Sequence, residues 1–71
     1  MFIKILGMYH QDENDERYAS YWQKIGDSCF QFTNNKSKAT DLTQEEVDNI
    51  LQYKRHYCSM YGASKMVVLA E

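Results

Sequence analysis

Asp41–Tyr61 reads DLTQEEVDNILQYKRHYCSMY and is followed by Gly62. Thr43 and Glu46 form T-x-x-E, in which hydroxyl and carboxylate satisfy each other's backbone amides at a helix start. Leu42 before the cap and Val47 at the fourth helical position add a hydrophobic staple. Val47, Ile50, Leu51, Tyr57, Cys58 and Tyr61 recur at the spacing of one helical face. Lys54 interrupts that stripe, where a long stem can lie on apolar surface and carry its charge to water. Gly62 supplies a left-handed stop. The pattern predicts one helix of about 18 residues, roughly 27 Å long, enough to cross a small sheet.

Outward from this helix the chain reads as strands. Ser64–Glu71 (SKMVVLAE) is a closing strand on its run Met66-Val67-Val68-Leu69. Upstream, the polar stretch Asn34–Thr40 connects the helix to a hairpin. Arg17–Ile25 (RYASYWQKI) and Ser28–Thr33 (SCFQFT) are its arms, with Gly26-Asp27 as a two-residue type II′ turn. Alternation sends Tyr18, Ser20, Trp22 and Lys24 to one face and Ala19, Tyr21, Gln23 and Ile25 to the other, while Phe30 and Phe32 share a face. Phe2–His10 (FIKILGMYH) is apolar on both sides, as a central strand is, and its Gly7 marks a bulge or a close backbone approach. The order β-β-β-α-β predicts an α+β domain in which one helix packs on one face of a small antiparallel sheet. The other face is left without a second layer.

Composition agrees with a single domain spanning 1–71. The chain is 44% hydrophobic, 14% aromatic and 25% charged, with three glycines and no proline to mark a linker. A domain this small buries only about 60% of the surface its unfolded chain exposes. Net charge is −2 and the pI is about 5.6. Domains that bind nucleic acid through phosphate neutralisation are usually basic, with pI above about 9, so nucleic acid is a disfavoured partner. Two cysteines, Cys29 and Cys58, are too few for the disulfide framework of a small secreted scaffold. MFIKILGMYHQ lacks the charged and apolar regions of a signal peptide and is broken too early for a membrane span. Reduced thiols, a cytoplasmic location and no membrane contact are the expectation.

The segment Phe32–Leu51, FTNNKSKATDLTQEEVDNIL, resembles a pattern common in short phage-encoded and prophage-encoded accessory proteins. A strand ending in Phe-Thr leads to a Lys-Ala segment, a Thr or Ser cap, a pair of acids and a helix, with a closing strand often after it. Phe32-Thr33, Lys38-Ala39, Thr43 and Glu45-Glu46 fill those places. The resemblance covers about a third of the chain and concerns architecture. It implies a protein that binds and diverts a host protein, as anti-defence and anti-CRISPR inhibitors do.

Chemistry finds little support. His10, Cys29, His56 and Cys58 match the four ligands of a structural zinc in number, but C-x-x-C and H-x-x-x-H pairs are missing. His56 and Cys58 would point about 200° apart on a helix. A cysteine near a helix end has its thiolate disfavoured by the dipole, and the acids of QDENDE are expected to be solvated. Neither cofactor, metal nor enzymatic activity is therefore expected, and a small metal or thiol enzyme stands third among the readings.

Two charged groups and the aromatics remain. Asp12, Glu13, Asp15 and Glu16 could form a negative patch that docks on a basic groove, in the manner of nucleic-acid phosphates. Lys36, Lys38, Lys54 and Arg55 are the basic counterpart and carry the second reading, a nucleic-acid-binding accessory protein. A core this small holds only part of the six Tyr, three Phe and one Trp, although Trp22 and the tyrosines could simply fill it. Tyr9, Tyr18, Tyr21 and Trp22 lining the uncovered face or edge of the sheet would mark a partner surface, since Tyr and Trp supply rigid area with a polar tip. A second copy of the chain, as a homodimer, would also cover that face. The leading expectation is a protein-binding accessory or inhibitor protein that contacts a host or phage protein. Its contacts would come from Asp12, Glu13, Asp15, Glu16, Tyr18, Tyr21 and Trp22, with Lys54 and Arg55 on the outer face of the helix as lesser ones.

Overall fold

A computed structural model describes residues 1–70 of the chain. Four strands, β1 (Phe2–Leu6), β2 (Ser20–Lys24), β3 (Phe30–Thr33) and β4 (Lys65–Leu69), form one antiparallel sheet in the order β3-β2-β1-β4. Helices α1 (Gln44–Leu51) and α2 (Lys54–Tyr61) lie over one of its faces. The α+β class and the antiparallel sheet match the sequence, with two helices where one was expected.

β1 is central and carries apolar residues on both sides, interrupted on one of them by Lys4. Ile3 and Ile5 are fully buried beneath the helices, each stabilising the fold by about 1.5–3 kcal/mol relative to an exposed position. Phe2, Lys4 and Leu6 face the other side and are half-buried. The strand ends earlier than the apolar run suggests. Gly7 takes φ 69°, and a Cβ there would collide with the Ser64 side chain, so its role is the close approach. The chain then curls through a short 3-10 turn at Met8–His10, in which Tyr9 (φ 57°) and His10 (φ 63°) are left-handed. The His10 N–H donates to the Gly62 carbonyl at 2.8 Å.

The expected single helix is broken at Gln52-Tyr53. The start is as predicted: Thr43 Oγ1 accepts from Glu46 N–H at 3.2 Å, and Glu46 Oε1 accepts from Thr43 N–H at 2.9 Å. The end is also as predicted, with Gly62 at φ 59° and the Ala63 N–H donating to Cys58 O at 2.7 Å. Between them Tyr53 N–H reaches Ile50 O, a tightened i to i−3 bond, and Tyr53 adopts φ −107°, ψ 15°. The break serves packing on both sides of it: α1 seats Val47 and Ile50 in the core while α2 brings Tyr57 and Tyr61 onto Phe30 and Phe32. It also releases Lys54 from the inner stripe into solvent.

The hairpin also differs from expectation. Ile25 N–H donates to Cys29 O at 3.1 Å, so the loop has three residues, Gly26–Ser28, and Gly26 is not left-handed. A two-residue loop would pair Trp22 with Gln31. The observed register pairs it with Phe32 and pairs Lys24 with Phe30. One residue of slip inverts every side chain, so the register that places both phenylalanines beside Trp22 prevails over the turn signal. Where β1 stops pairing with β2, the segment after β3 fills the gap. Thr40 N–H donates to Trp22 O, Thr40 Oγ1 accepts from Lys24 N–H at 2.7 Å, and Leu42 N–H donates to Met1 O at 2.6 Å.

Candidate protein-binding surface

The acidic loop is neither extended nor free. A 3-10 turn at Glu16–Tyr18 is capped by Asp15, whose carboxylate accepts from Arg17 N–H at 3.0 Å. The same carboxylate takes Arg17 Nε and Nη2, the latter at 2.7 Å, in a forked pair. Glu16 accepts from Lys4 Nζ at 2.8 Å, and Glu13 lies 3.5 Å from Lys65 Nζ. Lys4 and Lys65 both belong to the sheet face away from the helices, so the loop is latched across one end of that face. The negative patch expected of Asp12, Glu13, Asp15 and Glu16 is partly neutralised: Glu13, Asp15 and Glu16 each face a cation. Asp12 caps its own loop by accepting from Asn14 N–H. The Arg17 guanidinium holds the Asp15 carboxyl below its ordinary value, and the Glu16 hydrogen bond raises Lys4.

The aromatics divide. Register places Trp22, Phe30 and Phe32 on the helix side, where they meet Tyr57 and Tyr61 in edge-on and stacked contacts with centroids 5.1–5.9 Å apart. Trp22 therefore leaves the predicted contact surface. Its indole N–H is buried without a hydrogen-bond partner among the described residues. Tyr21 lies on the opposite face, half-buried, with Lys4 Nζ 5.8 Å above its ring. Tyr21 and Trp22 lie on opposite faces, as the alternation predicts, so they do not join Tyr18 in one contact surface.

A different grouping does. Tyr9, Arg17 and Tyr18 border an open groove of about 400 Å³ at the end of the sheet, floored by Met8, Ser20 and the last residues of β3. Tyr9 is 69% exposed and Tyr18 38%. The Arg17 guanidinium sits 5.5 Å from the centre of the Tyr18 ring. Sequence reasoning named Tyr9 and Tyr18 but missed Arg17, and x-R-Y after an acidic run was the available signal.

The basic residues do not converge. Lys54 and Arg55 share a groove with Lys65 beside β4, whereas Lys36 and Lys38 stand on the turn that leaves β3, the opposite edge strand. Burial raises the Cys58 thiol above its ordinary value, and Cys29 is exposed. Among the described residues no three His, Cys, Asp or Glu side chains gather in a metal-binding arrangement, and no helix is long and apolar enough to cross a membrane. Compared with known proteins, the chain matches no family model, no characterised relative and no solved structure.

Proposed function

We propose that this chain is a protein-binding accessory or inhibitor domain that acts by occupying a surface of another protein through its Tyr9–Arg17–Tyr18 groove. The observation that carries this reading is the exposure of Tyr9 on a left-handed backbone. A bulky residue at positive φ is uncommon and costs on the order of 1–3 kcal/mol, and such strain concentrates at functional sites. Tyr and Arg are the residue types that dominate interface energetics, and Arg17 is already held by Asp15, so little ordering is lost on contact. An open groove of this kind suits a protruding side chain of a partner better than an enclosed small molecule. The resemblance to phage accessory proteins supports a target inside a host cell, with anti-defence and anti-CRISPR roles in that class.

The test compares capture from host lysate by the wild type, Tyr9→Gly, Tyr18→Ala and a control, Val68→Ala, an exposed side chain of β4 that does not line the groove. Tyr9→Gly relieves the backbone, so its melting temperature stays level or rises while capture of a specific protein falls about tenfold or more. Equal capture by Tyr9→Gly and Tyr18→Ala would overturn the assignment.

A further inference from the structure

Beside the groove of Tyr9, Arg17 and Tyr18, whose floor includes Gln31, we propose that β3 is the contact of a two-fold homodimer, in which two copies join edge to edge into one eight-stranded sheet. The hydrogen-bond phase comes first. Antiparallel partners alternate between bonded and non-bonded pairs. The bond from Ile25 N–H to Cys29 O makes Gln23–Gln31 and Tyr21–Thr33 the bonded pairs, so the main-chain groups of Phe30 and Phe32 point away from β2. The same phase sends Trp22 O and Lys24 N–H outward on the other side, where Thr40 meets both. Phe30 and Phe32 have no such cover: no main-chain bond from a turn, loop or cap among the described residues reaches them.

Edge strands normally carry a guard, such as lysine, proline or a bulge. β4 has one in Lys65, with Lys54 and Arg55 beside it. β3 has none: Cys29-Phe30-Gln31-Phe32-Thr33 is uncharged and unbroken, and pairs with β2 without a bulge. Only one antiparallel self-register lets Phe30 and Phe32 of one copy bond reciprocally with Phe32 and Phe30 of the other. It sets Gln31 opposite the second Gln31 at the two-fold axis.

Shape agrees with that register. The axis stands perpendicular to the sheet, so both helix layers fall on one side. There the groove bordered by Phe30, Tyr53, His56 and Met60 meets its own copy, and Tyr53 and Met60, each 56% exposed, gain a covering.

Sedimentation velocity of the protein alone tests this. The wild type sediments as a concentration-dependent dimer. Gln31→Lys and Gln31→Glu are each monomeric, because like charges then face each other at the axis, and an equal mixture of the two restores the dimer. Gln31 is exposed, and among the described residues its side chain bonds only to Gln23, so both variants keep the wild-type circular dichroism. In a Cys29→Ser background, Gln31→Cys gives a covalent dimer on mild oxidation. Should the charged variants fail to fold, wild-type amide exchange decides: protection of the Phe30 and Phe32 N–H groups rises with protein concentration. A wild type that is monomeric at every concentration, or a dimer that neither Gln31→Lys nor Gln31→Glu weakens, overturns the proposal.

Discussion

The layer between sheet and helices has two unlike halves. Around β1, β4 and α1 it is aliphatic: Ile3, Ile5, Val47, Ile50 and Met66, joined by Leu42, are all at most 9% exposed. Around β2, β3 and α2 it is aromatic: Trp22, Phe30, Phe32, Tyr57 and Tyr61 touch one another and remain half-buried. Branched aliphatic side chains fill a small volume completely, so the first half holds most of the stability. Rings fix orientation by edge and face, tolerate water at one side, and carry the second half out to the open margin of the sheet. The first half is sealed from water, and the second reaches the edge strand β3.

The sharpest way to break this contrast is to truncate one residue in each half. Ile5→Ala should cost about 2–5 kcal/mol and lower Tm by roughly 10 °C or more. Phe30→Ala, at a half-wet site, should cost about 1–3 kcal/mol. Equal losses in urea unfolding would erase the distinction. Thr43→Ala removes the cap beneath the aliphatic half and should cost about 1 kcal/mol.

The pH dependence of that cap sharpens the same point. Hydrogen bonds from Thr43 hold the Glu46 carboxyl below its ordinary value of 4.5. A depressed folded-state value means the contribution is complete above that ordinary value and is lost as pH falls through the lower, folded one. The Tm gap between wild type and Glu46→Ala should therefore be steady near neutrality and shrink in acid; a gap that widens there would contradict the assignment. The smallest effect belongs to Trp22→Phe. The lost area and the relieved, unpartnered indole N–H oppose each other, leaving a change within about 1 kcal/mol by thermal melting.

What could be read in advance follows the range of the forces. The capping box at Thr43 and Glu46 and the stop at Gly62 are local chemistry, written in neighbouring residues. The sidedness of β1 is local too. The break at Gln52-Tyr53 answers to the packing of Tyr57 and Tyr61 on Phe30 and Phe32, residues far away in the chain. The three-residue loop at Gly26–Ser28 was decided by Phe30 and Phe32 seeking Trp22, against a turn signal that pointed elsewhere. The acidic loop misled because its partners Lys4 and Lys65 lie at distant positions, and only the sheet brings them within reach. The groove of Tyr9, Arg17 and Tyr18 rests on a left-handed backbone at Tyr9 that no residue there advertises.

The strand order β3-β2-β1-β4 has a consequence for how the molecule is made. β1 is the earliest strand to be synthesised and an inner one, and β4, its neighbour, is the last of the four. A ribosome therefore releases the hairpin and both helices before the first strand can acquire its second partner. Ile3 and Ile5 wait for the Met66 segment until both helices have been made, and a message cut just short of it leaves a nascent chain with an apolar rim for chaperones and proteases to find.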